Sequence, residues 1–277
     1  MVAPDTVLIL GCGTIGARVA GLVRASGQTV LGIRRTPMAS PADCVAGDIS
    51  ATATWQSLPD QLRSRGGTWP PRRVLLCANP GLRRGHDNGL AQAAALARQH
   101  LPTARLVYTG TTAVYADAAG GGVDEQAPLI SAAGAPAGLL AIEAAVLGQA
   151  GALVLRLPAL VGPSRRHALQ RLQDGINTVA GDLDRPFSFV HELDLAEIAV
   201  AALAGAYGGG ILNVASPERS SLRDYYAVLA RRAGVAPPHG DGQRLPSRWI
   251  DATRFWRMEP QRRWRSFSDE APQPAAV

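Results

Sequence analysis

The sequence contains no lysine: every one of its 28 basic residues is an arginine. An arginine side chain stays protonated, so the chain has no lysine amine that could gain and lose a proton during a reaction. Together with 22 acidic residues, the arginines give a formal net charge of +6. They are spread along the chain without a long basic tract, and we therefore expect no nucleic-acid partner.

The sequence is also poor in cysteine. Its three cysteines are Cys12, Cys44 and Cys77. Their number is odd and their spacing matches no metal-ligand motif, so they predict neither a disulfide framework nor a metal site. We expect reduced thiols that pack beside buried strands.

No uninterrupted apolar stretch is long enough to cross a bilayer. The longest apolar region, residues 138–161, contains Glu143, Gln149 and Arg156, and such side chains are costly in hydrocarbon. The first residues lack the charged and apolar regions of an export signal. We therefore expect no membrane partner and a cytoplasmic location.

Short apolar runs do occur, and they alternate with helical patterns through residues 1–160. The predicted strands are Thr6–Leu10, Thr29–Ile33, Arg73–Ala78, Arg105–Thr109 and Leu153–Leu157. The predicted helices are Gly16–Ala25, Asn88–Gln99 and Gly138–Gln149. Continuous apolar strands separated by helices predict an α/β fold with a parallel sheet covered on both faces.

The pattern is less regular in the second half of the chain. It predicts helices over Arg165–Asp174, Leu193–Ala206 and Leu222–Ala233, and strands over Phe187–Val190 and Ile211–Val214. A segment rich in arginine and tryptophan follows. We expect this half to add strands to the edge of the sheet and to build a small cap.

A glycine motif follows the first predicted strand directly. Gly11, Gly13 and Gly16 form G-x-G-x-x-G, with Thr14 and Ile15 inside it, at the start of a predicted helix. The first glycine allows a tight turn, the second lets a pyrophosphate approach the backbone, and the third lets helix and strand pack closely. The helix N-terminus favours an anion. The motif therefore predicts a dinucleotide site.

The residues after the second strand bear on which dinucleotide binds. An NAD site usually has an acidic residue about 20 positions after the glycines. Here Arg34 and Arg35 stand in that place, and a pair of guanidinium groups suits a 2'-phosphate. The sequence therefore favours NADP(H) over NAD(H). Asp48 follows a short apolar segment and is interpreted either as a partner of the adenine amino group or as a turn residue.

These motifs predict a Rossmann-type doubly wound parallel sheet with a small C-terminal substrate-binding subdomain. We assign residues 1–162 to an NADP(H)-binding domain. Residues 163–277 are expected to complete the sheet edge and to form the cap.

Several blocks in a fixed order resemble one family. They are LILGCGTIG, GDIS, VLLCANP, YTGTTAVYAD, VDEQAP, VLRLPALVGPSR, FSFVHELDLAEIAVAAL and ILNVASPERSSLRDYY. Together they cover most of the chain. The chain resembles an atypical extended short-chain dehydrogenase/reductase of the NAD-dependent epimerase/dehydratase family.

The resemblance assigns roles to individual residues. It implies that Ala78, Asn79, Thr109 and Pro158 contact the cofactor, and that Thr111 is the catalytic Ser or Thr. Thr112, His191 and Arg244 are candidates for binding a small, possibly anionic substrate. For His191 a structural hydrogen bond is the alternative. The resemblance also suggests a homodimer formed through the helices at 88–99 and 138–149.

The family's Tyr-x-x-x-Lys pair is missing. The resemblance places Ala135 at the tyrosine position and Leu139 at the lysine position. Leu139 lies four residues before Glu143, which we interpret as a helix-face residue. Because the sequence has no lysine, the pair cannot exist in any alignment. In the family this lysine lowers the pKa of the tyrosine, so its loss removes the activated acid and base.

Three functions remain open. The protein could be an atypical reductase or dehydrogenase of a carbonyl, imine or activated alkene, since the cofactor supplies the hydride. Water or one of the carboxylates Asp117, Asp124 and Glu125 would then handle the proton. The protein could instead bind NADP(H) without catalysis, as a redox sensor or a partner-binding subunit. A sugar-nucleotide epimerase is the third possibility, but it requires reversible proton removal from a hydroxyl.

Two further predictions concern the second half. Asp194 and Glu197 are interpreted as solvated residues or as N-terminal caps of a helix. The tryptophans Trp249, Trp256 and Trp264 are expected to hold the arginine-rich segment against the protein, while its arginines face water. Binding of an anionic substrate by this segment, with Arg244 as the first candidate, is the alternative.

Overall fold

A computed structural model describes residues 6–36, 44–82, 87–131 and 135–269. Its strands are β1 (Thr6–Leu10), β2 (Thr29–Arg34), β3 (Cys44–Ala46), β4 (Arg73–Leu76), β5 (Arg105–Thr111), β6 (Gly122–Val123), β7 (Leu153–Leu157), β8 (Ala159–Val161), β9 (Thr178–Val179), β10 (Phe189–His191), β11 (Gly210–Asn213), β12 (His239–Gly240) and β13 (Trp249–Ile250). Its α-helices are α1 (Thr14–Ala25), α2 (Thr52–Arg63), α3 (Leu90–His100), α4 (Ala135–Leu147), α5 (His167–Gln173), α6 (Glu192–Leu203), α7 (Leu222–Ala233) and α8 (Thr253–Met258).

Seven strands form one central parallel sheet in the order β11-β7-β5-β4-β1-β2-β3. Strand β1 pairs in parallel with β2 on one side and with β4 on the other. All five residues of β1, and all five of β7, are buried, as expected for strands that helices cover on both faces. The predicted α/β fold with a Rossmann-type sheet is confirmed, and β11 lies at one edge of the sheet, as expected.

The chain divides into two compact units. The first combines Met1–Val114, Ser131–Arg156 and Leu195–Leu212, and the second combines Tyr115–Ile130, Leu157–Asp194 and Asn213–Val277. The sequence predicted two consecutive ranges divided at residue 162. Each unit is instead assembled from three separate segments, because a strand distant in sequence can complete a sheet that earlier segments began.

The first unit is organised around a large apolar core. Strands β1, β2, β4 and β5 contribute side chains to it, as do helices α2, α3 and α4. Trp55 of α2 is completely buried, and its indole N–H donates a hydrogen bond of 2.8 Å to the carbonyl of Ile49. The sequence pattern did not predict α2, because its three core residues are interspersed with polar residues and Pro59.

The second unit contains three two-stranded parallel pairs, β8 with β10, β9 with β12, and β6 with β13. Its apolar clusters lie around Phe189 and around Leu229. The ring of Phe187 stacks on that of Tyr225 at 4.5 Å, and Phe267 meets Phe189 edge-on at 5.0 Å. These aromatic contacts join segments that are distant in sequence.

Across the ranges that the structure describes, we find no helix both long and apolar enough to cross a membrane.

Candidate functional site

The glycine turn lies where β1 ends and α1 begins. Gly11 has a φ of 96°, which only glycine adopts readily. The backbone N–H groups of Gly11 and Cys12 both donate to the carbonyl of Ile33, at 3.0 and 2.8 Å. A Cβ at Gly11 would lie 2.6 Å from the Cβ of Ala78. The turn is therefore held against both neighbouring strands, and this position requires glycine.

The N-terminus of α1 is exposed at Gly13, which is the residue before the helix. Gly13 has extended backbone angles, no side chain caps the helix there, and a Cβ on Gly13 would meet nothing within 4 Å. Thr14 is exposed in the first turn, whereas Ile15 and Gly16 are buried. The first N–H groups of a helix lack intrahelical partners and attract anions. The geometry thus leaves room for a phosphate beside Gly13.

A cleft of about 240 Å³ opens beside this turn. It is lined by Gly11, Gly13, Ile33, Arg34, Arg35, Thr36, Gly47, Asp48, Ile49, Cys77, Ala78, Asn79 and Asn88. Seven of these are predicted cofactor residues: Gly11, Gly13, Arg34, Arg35, Asp48, Ala78 and Asn79. Complete sites for drug-sized ligands usually measure roughly 300–1,000 Å³, so the cleft is smaller than a complete site of that kind.

The carboxylate of Asp48 is fixed by a local turn. Its Oδ1 accepts hydrogen bonds from the N–H and the hydroxyl of Ser50, at 2.9 and 2.7 Å. These bonds, helped by the charge of Arg35, lower the pKa of Asp48 below its usual value. The carboxylate therefore keeps its negative charge at neutral pH beside the cationic Arg35. Asp48 is therefore a turn residue that also lines the cleft, and its contact with an adenine amino group stays a prediction.

Sequence reasoning missed six lining residues. Four of them, Ile33, Thr36, Gly47 and Ile49, are chain neighbours of residues that it named. Cys77 precedes Ala78 directly, and adjacency to a motif was the signal that could have found these five. Asn88 had no such signal. Its side-chain amide donates to the carbonyl of Asn79 at 2.6 Å, a contact that the fold creates.

The remaining predicted cofactor residues do not line this cleft. Thr14, Ile15 and Gly16 belong to the first turn of α1. Thr109 lies on β5, and its hydroxyl donates to the carbonyl of Leu76 at 3.4 Å. Pro158 lies between β7 and β8 in the second unit. Their contacts with a cofactor stay predictions.

The two threonines with predicted roles in catalysis and substrate binding lie at the end of β5. Thr111 is its last residue, and its Oγ1 accepts a hydrogen bond of 3.1 Å from the N–H of Ala113. Thr112 begins a short 3-10 helix and is buried. The bond from Ala113 occupies one lone pair of the Thr111 hydroxyl and leaves its proton available to a substrate oxygen.

The three candidate proton carriers all have structural hydrogen bonds. Asp117 accepts from the N–H groups of Ala119 and Ser247, and these bonds lower its pKa. Asp124 and Glu125 accept from other backbone N–H groups at 2.9 and 2.8 Å. Each carboxylate therefore stabilises a loop or a strand in addition to any role in chemistry.

Helix α4 begins at Ala135, one of the two positions assigned to the missing pair, and Leu139 in its second turn is buried. Glu143 is also buried, with two bonds from Arg156: Nε to Oε1 at 3.1 Å and Nη2 to Oε2 at 2.7 Å. The interpretation as a helix-face residue missed this burial, because nothing near Glu143 in sequence indicates its partner on β7. Glu143 is thus half of an internal ion pair.

His191 ends β10 and is buried. Its Nδ1 accepts a hydrogen bond of 3.2 Å from the N–H of Leu193, at the start of α6. This is the structural hydrogen bond that was the alternative for this residue. A contact with substrate stays a prediction.

The arginine- and tryptophan-rich segment is anchored by its aromatic residues. Trp249 is buried, and the indole N–H of Trp256 donates to the carbonyl of Ala215 at 2.8 Å. Of the two interpretations of Asp194, the solvated one is wrong, because its carboxylate is completely buried and pairs with Arg265, whereas its place in the first turn of α6 agrees with the other. Sequence could not show this because Arg265 lies 71 positions later. Arg244 is exposed, and its contact with substrate stays a prediction.

The three cysteines are thiols that no disulfide joins in this structure. Over the described ranges, no group of three or more His, Cys, Asp or Glu side chains could hold a metal ion.

No protein-family model matches the chain, and no curated protein sequence matches it either. Solved structures do match over nearly the whole length. The Bordetella bronchiseptica enzyme WbmH in complex with NAD+ is 20% identical, with a TM-score of 0.78 over 96% of this chain and 95% of that one. WbmG from the same organism, in complex with NAD, is 18% identical, with a TM-score of 0.77 over 97% and 92%.

A third match is dTDP-glucose 4,6-dehydratase from Bacillus anthracis in complex with NAD. It is 14% identical, with a TM-score of 0.77 over 95% of this chain and 93% of that one. At these identities the likeness concerns the fold. The chain therefore has the Rossmann-type α/β fold of these NAD-bound enzymes.

Proposed function

We propose that the protein binds NADP(H) through the glycine turn and the adjoining cleft, and that it is an atypical reductase or dehydrogenase. The observation that carries this proposal is the cleft itself, which brings the turn glycines together with Arg34, Arg35 and Asp48. The open helix N-terminus at Gly13 suits a pyrophosphate. The binding of NAD by similar structures supports a nicotinamide dinucleotide as the ligand.

The preference for NADP(H) rests on the two arginines. Both line the cleft, with Arg34 half-buried and Arg35 exposed. A 2'-phosphate in the cleft could accept charge-assisted hydrogen bonds from them. NAD(H) is the competing cofactor, and the NAD bound in the similar structures favours it. Direct titration of the protein with NADPH and with NADH distinguishes the two cofactors.

Replacing both Arg34 and Arg35 with alanine should weaken NADPH binding by at least about 100-fold, because each of the two lost hydrogen bonds to a charged group contributes ~1.5–3 kcal/mol. NADH affinity should change by less than about threefold, because NADH lacks the 2'-phosphate. Fluorescence titration of both cofactors measures this. Arg63→Ala is the control, since Arg63 is exposed on α2 and pairs with Asp60. Equal losses for the two cofactors, or tighter binding of NADH by the wild type, would contradict the assignment.

The proposed reaction uses a hydride that the bound cofactor supplies. Thr111 would donate its hydroxyl proton in a hydrogen bond to the substrate oxygen. It does not titrate near neutral pH, so a substrate needing little acid assistance fits best: an activated carbonyl, an imine or an activated alkene. The chemistry of a sugar-nucleotide epimerase requires the removal of a hydroxyl proton, for which the chain has no Tyr-Lys pair.

We expect Thr111→Val to lower kcat/KM by about 100-fold, because removing one donor that polarises a reacting oxygen costs about 10²–10³ in rate. NADPH affinity should stay within about twofold of wild type, because a change confined to polarising the substrate removes no cofactor contact. Consumption of NADPH with a panel of carbonyl and imine substrates measures the rate. Thr103→Val, at an exposed turn position, is the matched control. Full activity in Thr111→Val would remove Thr111 from the mechanism.

The second candidate function is a non-catalytic NADP(H) binder, serving as a redox sensor or a partner-binding subunit. Its support is the buried, apolar Leu139 at the position assigned to the lysine. Tight NADPH binding by the wild type without turnover across the panel would favour this function over the reductase.

A further inference from the structure

The two sulfurs of Cys12 and Cys44 meet over Gly32 of β2. Gly32 pairs with Cys44 in the β2–β3 register, and Cys12 belongs to the glycine turn that follows β1. A Cβ at Gly32 would lie 2.6 Å from the Sγ of Cys12 and 2.7 Å from the Sγ of Cys44. The sulfurs are therefore no further apart than the sum of these distances. They occupy the space that any larger residue at position 32 would fill.

The two thiols also interact with each other. The pKa of the Cys12 thiol is raised well above its usual value by burial and by a hydrogen bond with Cys44. Cys12 is completely buried, whereas Cys44 is partly exposed. An oxidant from solution therefore reaches Cys44 first, and Cys12 is the thiol that lies beside it.

We infer that Cys12 and Cys44 form an oxidation site whose disulfide reshapes the glycine turn and weakens dinucleotide binding. The effect on binding rests on the proposed function, whereas the disulfide itself does not. Both ends of the bond would lie on segments that form the cleft: Cys12 stands between Gly11 and Gly13, and β3 leads into Gly47 and Asp48.

The oxidation balances with hydrogen peroxide as the oxidant. The Cys44 sulfur attacks one peroxide oxygen, the O–O bond breaks, and Cys44 becomes a sulfenic acid with release of one water. The Cys12 sulfur then attacks the Cys44 sulfur, the S–O bond breaks, and a second water leaves. The two thiol protons end in the two waters, and the peroxide takes up two electrons.

Closing the disulfide requires movement in the cleft. The sulfurs must approach to about 2.05 Å, and the present cleft exists with them unbonded. The backbone at Cys12 is held to β2, because its N–H and that of Gly11 are bonded to the carbonyl of Ile33. The disulfide that we infer would draw the turn and β3 toward each other, so the N–H groups at the helix N-terminus and the residues after β3 would change their relative positions.

The first test maps the disulfide in the full chain. Trypsin cuts after arginine and places the three cysteines on separate peptides, 1–18, 36–63 and 74–83. After peroxide treatment and blocking of the remaining thiols, mass spectrometry should find peptide 1–18 linked to 36–63, reversibly with dithiothreitol. The link should be absent in Cys44→Ser and present in Cys77→Ser. A link through Cys77, a link between two chains, or oxidised but unlinked thiols would overturn the inference.

The second test measures the effect of the disulfide on NADPH binding. Oxidised wild type should bind NADPH about tenfold more weakly than its reduced form, and dithiothreitol should restore binding, as linkage between the disulfide and the ligand requires. Each variant is compared with its own reduced form, and Cys44→Ser should not respond to oxidation. Unchanged affinity in fully disulfide-bonded protein would overturn the coupling.

A third readout separates this inference from the proposed function. Hydrogen exchange of the peptide that carries residues 11–16 should change on disulfide formation, with no ligand present. If the reduced protein bound neither NADPH nor NADH, the proposed function would fail, while the linked peptide and the exchange data would still decide the inference. Unchanged exchange in the bonded protein would count against it.

Discussion

Gly13→Ala should weaken dinucleotide binding by about 100-fold, or ~2.8 kcal/mol, while the protein folds normally. The space around Gly13 is empty: a Cβ there would meet no protein atom within 4 Å. The same space is where the backbone would approach a pyrophosphate. An added methyl group would hold the phosphate away from the N–H groups of α1, so the variant would lose affinity for the dinucleotide.

The fold should tolerate this change. Gly13 has a φ of −80° and a ψ of −158°, which alanine can adopt. The free energy of unfolding should therefore fall by less than about 1 kcal/mol, the typical cost of a poorer residue at a helix N-cap. Gly11→Ala would be a less informative variant, because its Cβ would collide with Ala78 and disturb the fold as well.

Gly21→Ala is the matched control for Gly13→Ala. Gly21 is exposed within α1, and a Cβ there also meets nothing within 4 Å. This change should leave binding unaltered and raise the free energy of unfolding by about 0.5–1 kcal/mol, because alanine favours a helix more than glycine does. Cofactor titration and chemical denaturation measure both effects. Wild-type affinity in Gly13→Ala would show that no phosphate binds at this turn.

Arg156→Met should lower the free energy of unfolding by about 3–5 kcal/mol. Arg156 and Glu143 are both buried and share two hydrogen bonds. Removing the guanidinium leaves the carboxylate of Glu143 without its partner inside the protein, and an uncompensated buried charge is costly. Denaturation with urea at neutral pH measures the loss.

Two comparisons make this prediction specific. The double variant Arg156→Met, Glu143→Leu should recover much of the lost stability, because no buried charge remains. Arg223→Met removes a similar two-bond pair with Asp184, but there both side chains are more than half exposed. It should cost less than about 1 kcal/mol. An equally small loss in Arg156→Met would contradict the account of the buried pair.

Comparison of the predicted and observed elements shows which of them local sequence patterns can predict. Strands β1 and β7 and helix α7 have the predicted bounds, because their apolar residues are continuous or regularly spaced and turn residues flank them. Helix α2 was missed, since its core positions stand among polar residues and a proline. The pairs β6–β13 and β9–β12 have two residues on each strand. Such short strands leave no periodic signal.

Local sequence also predicted some residues of the candidate site and not others. Sequence located the glycine turn, Arg34, Arg35 and Asp48, because each lies at or just after the end of a strand and the carboxyl ends of parallel strands meet at one edge of a sheet. It did not find Asn88, whose position depends on a contact with Asn79.

By itself, then, the sequence determined the parallel sheet, the conformation of the turn at Gly11 and the absence of a Tyr-Lys pair. Each of these depends on residue type and on spacing over a few positions. Only the tertiary structure decided that Glu143 is buried against Arg156, that Asp194 is buried against Arg265, and that two sulfurs meet over Gly32. These contacts join residues distant along the chain, and local periodicity carries no information about which distant residues become neighbours.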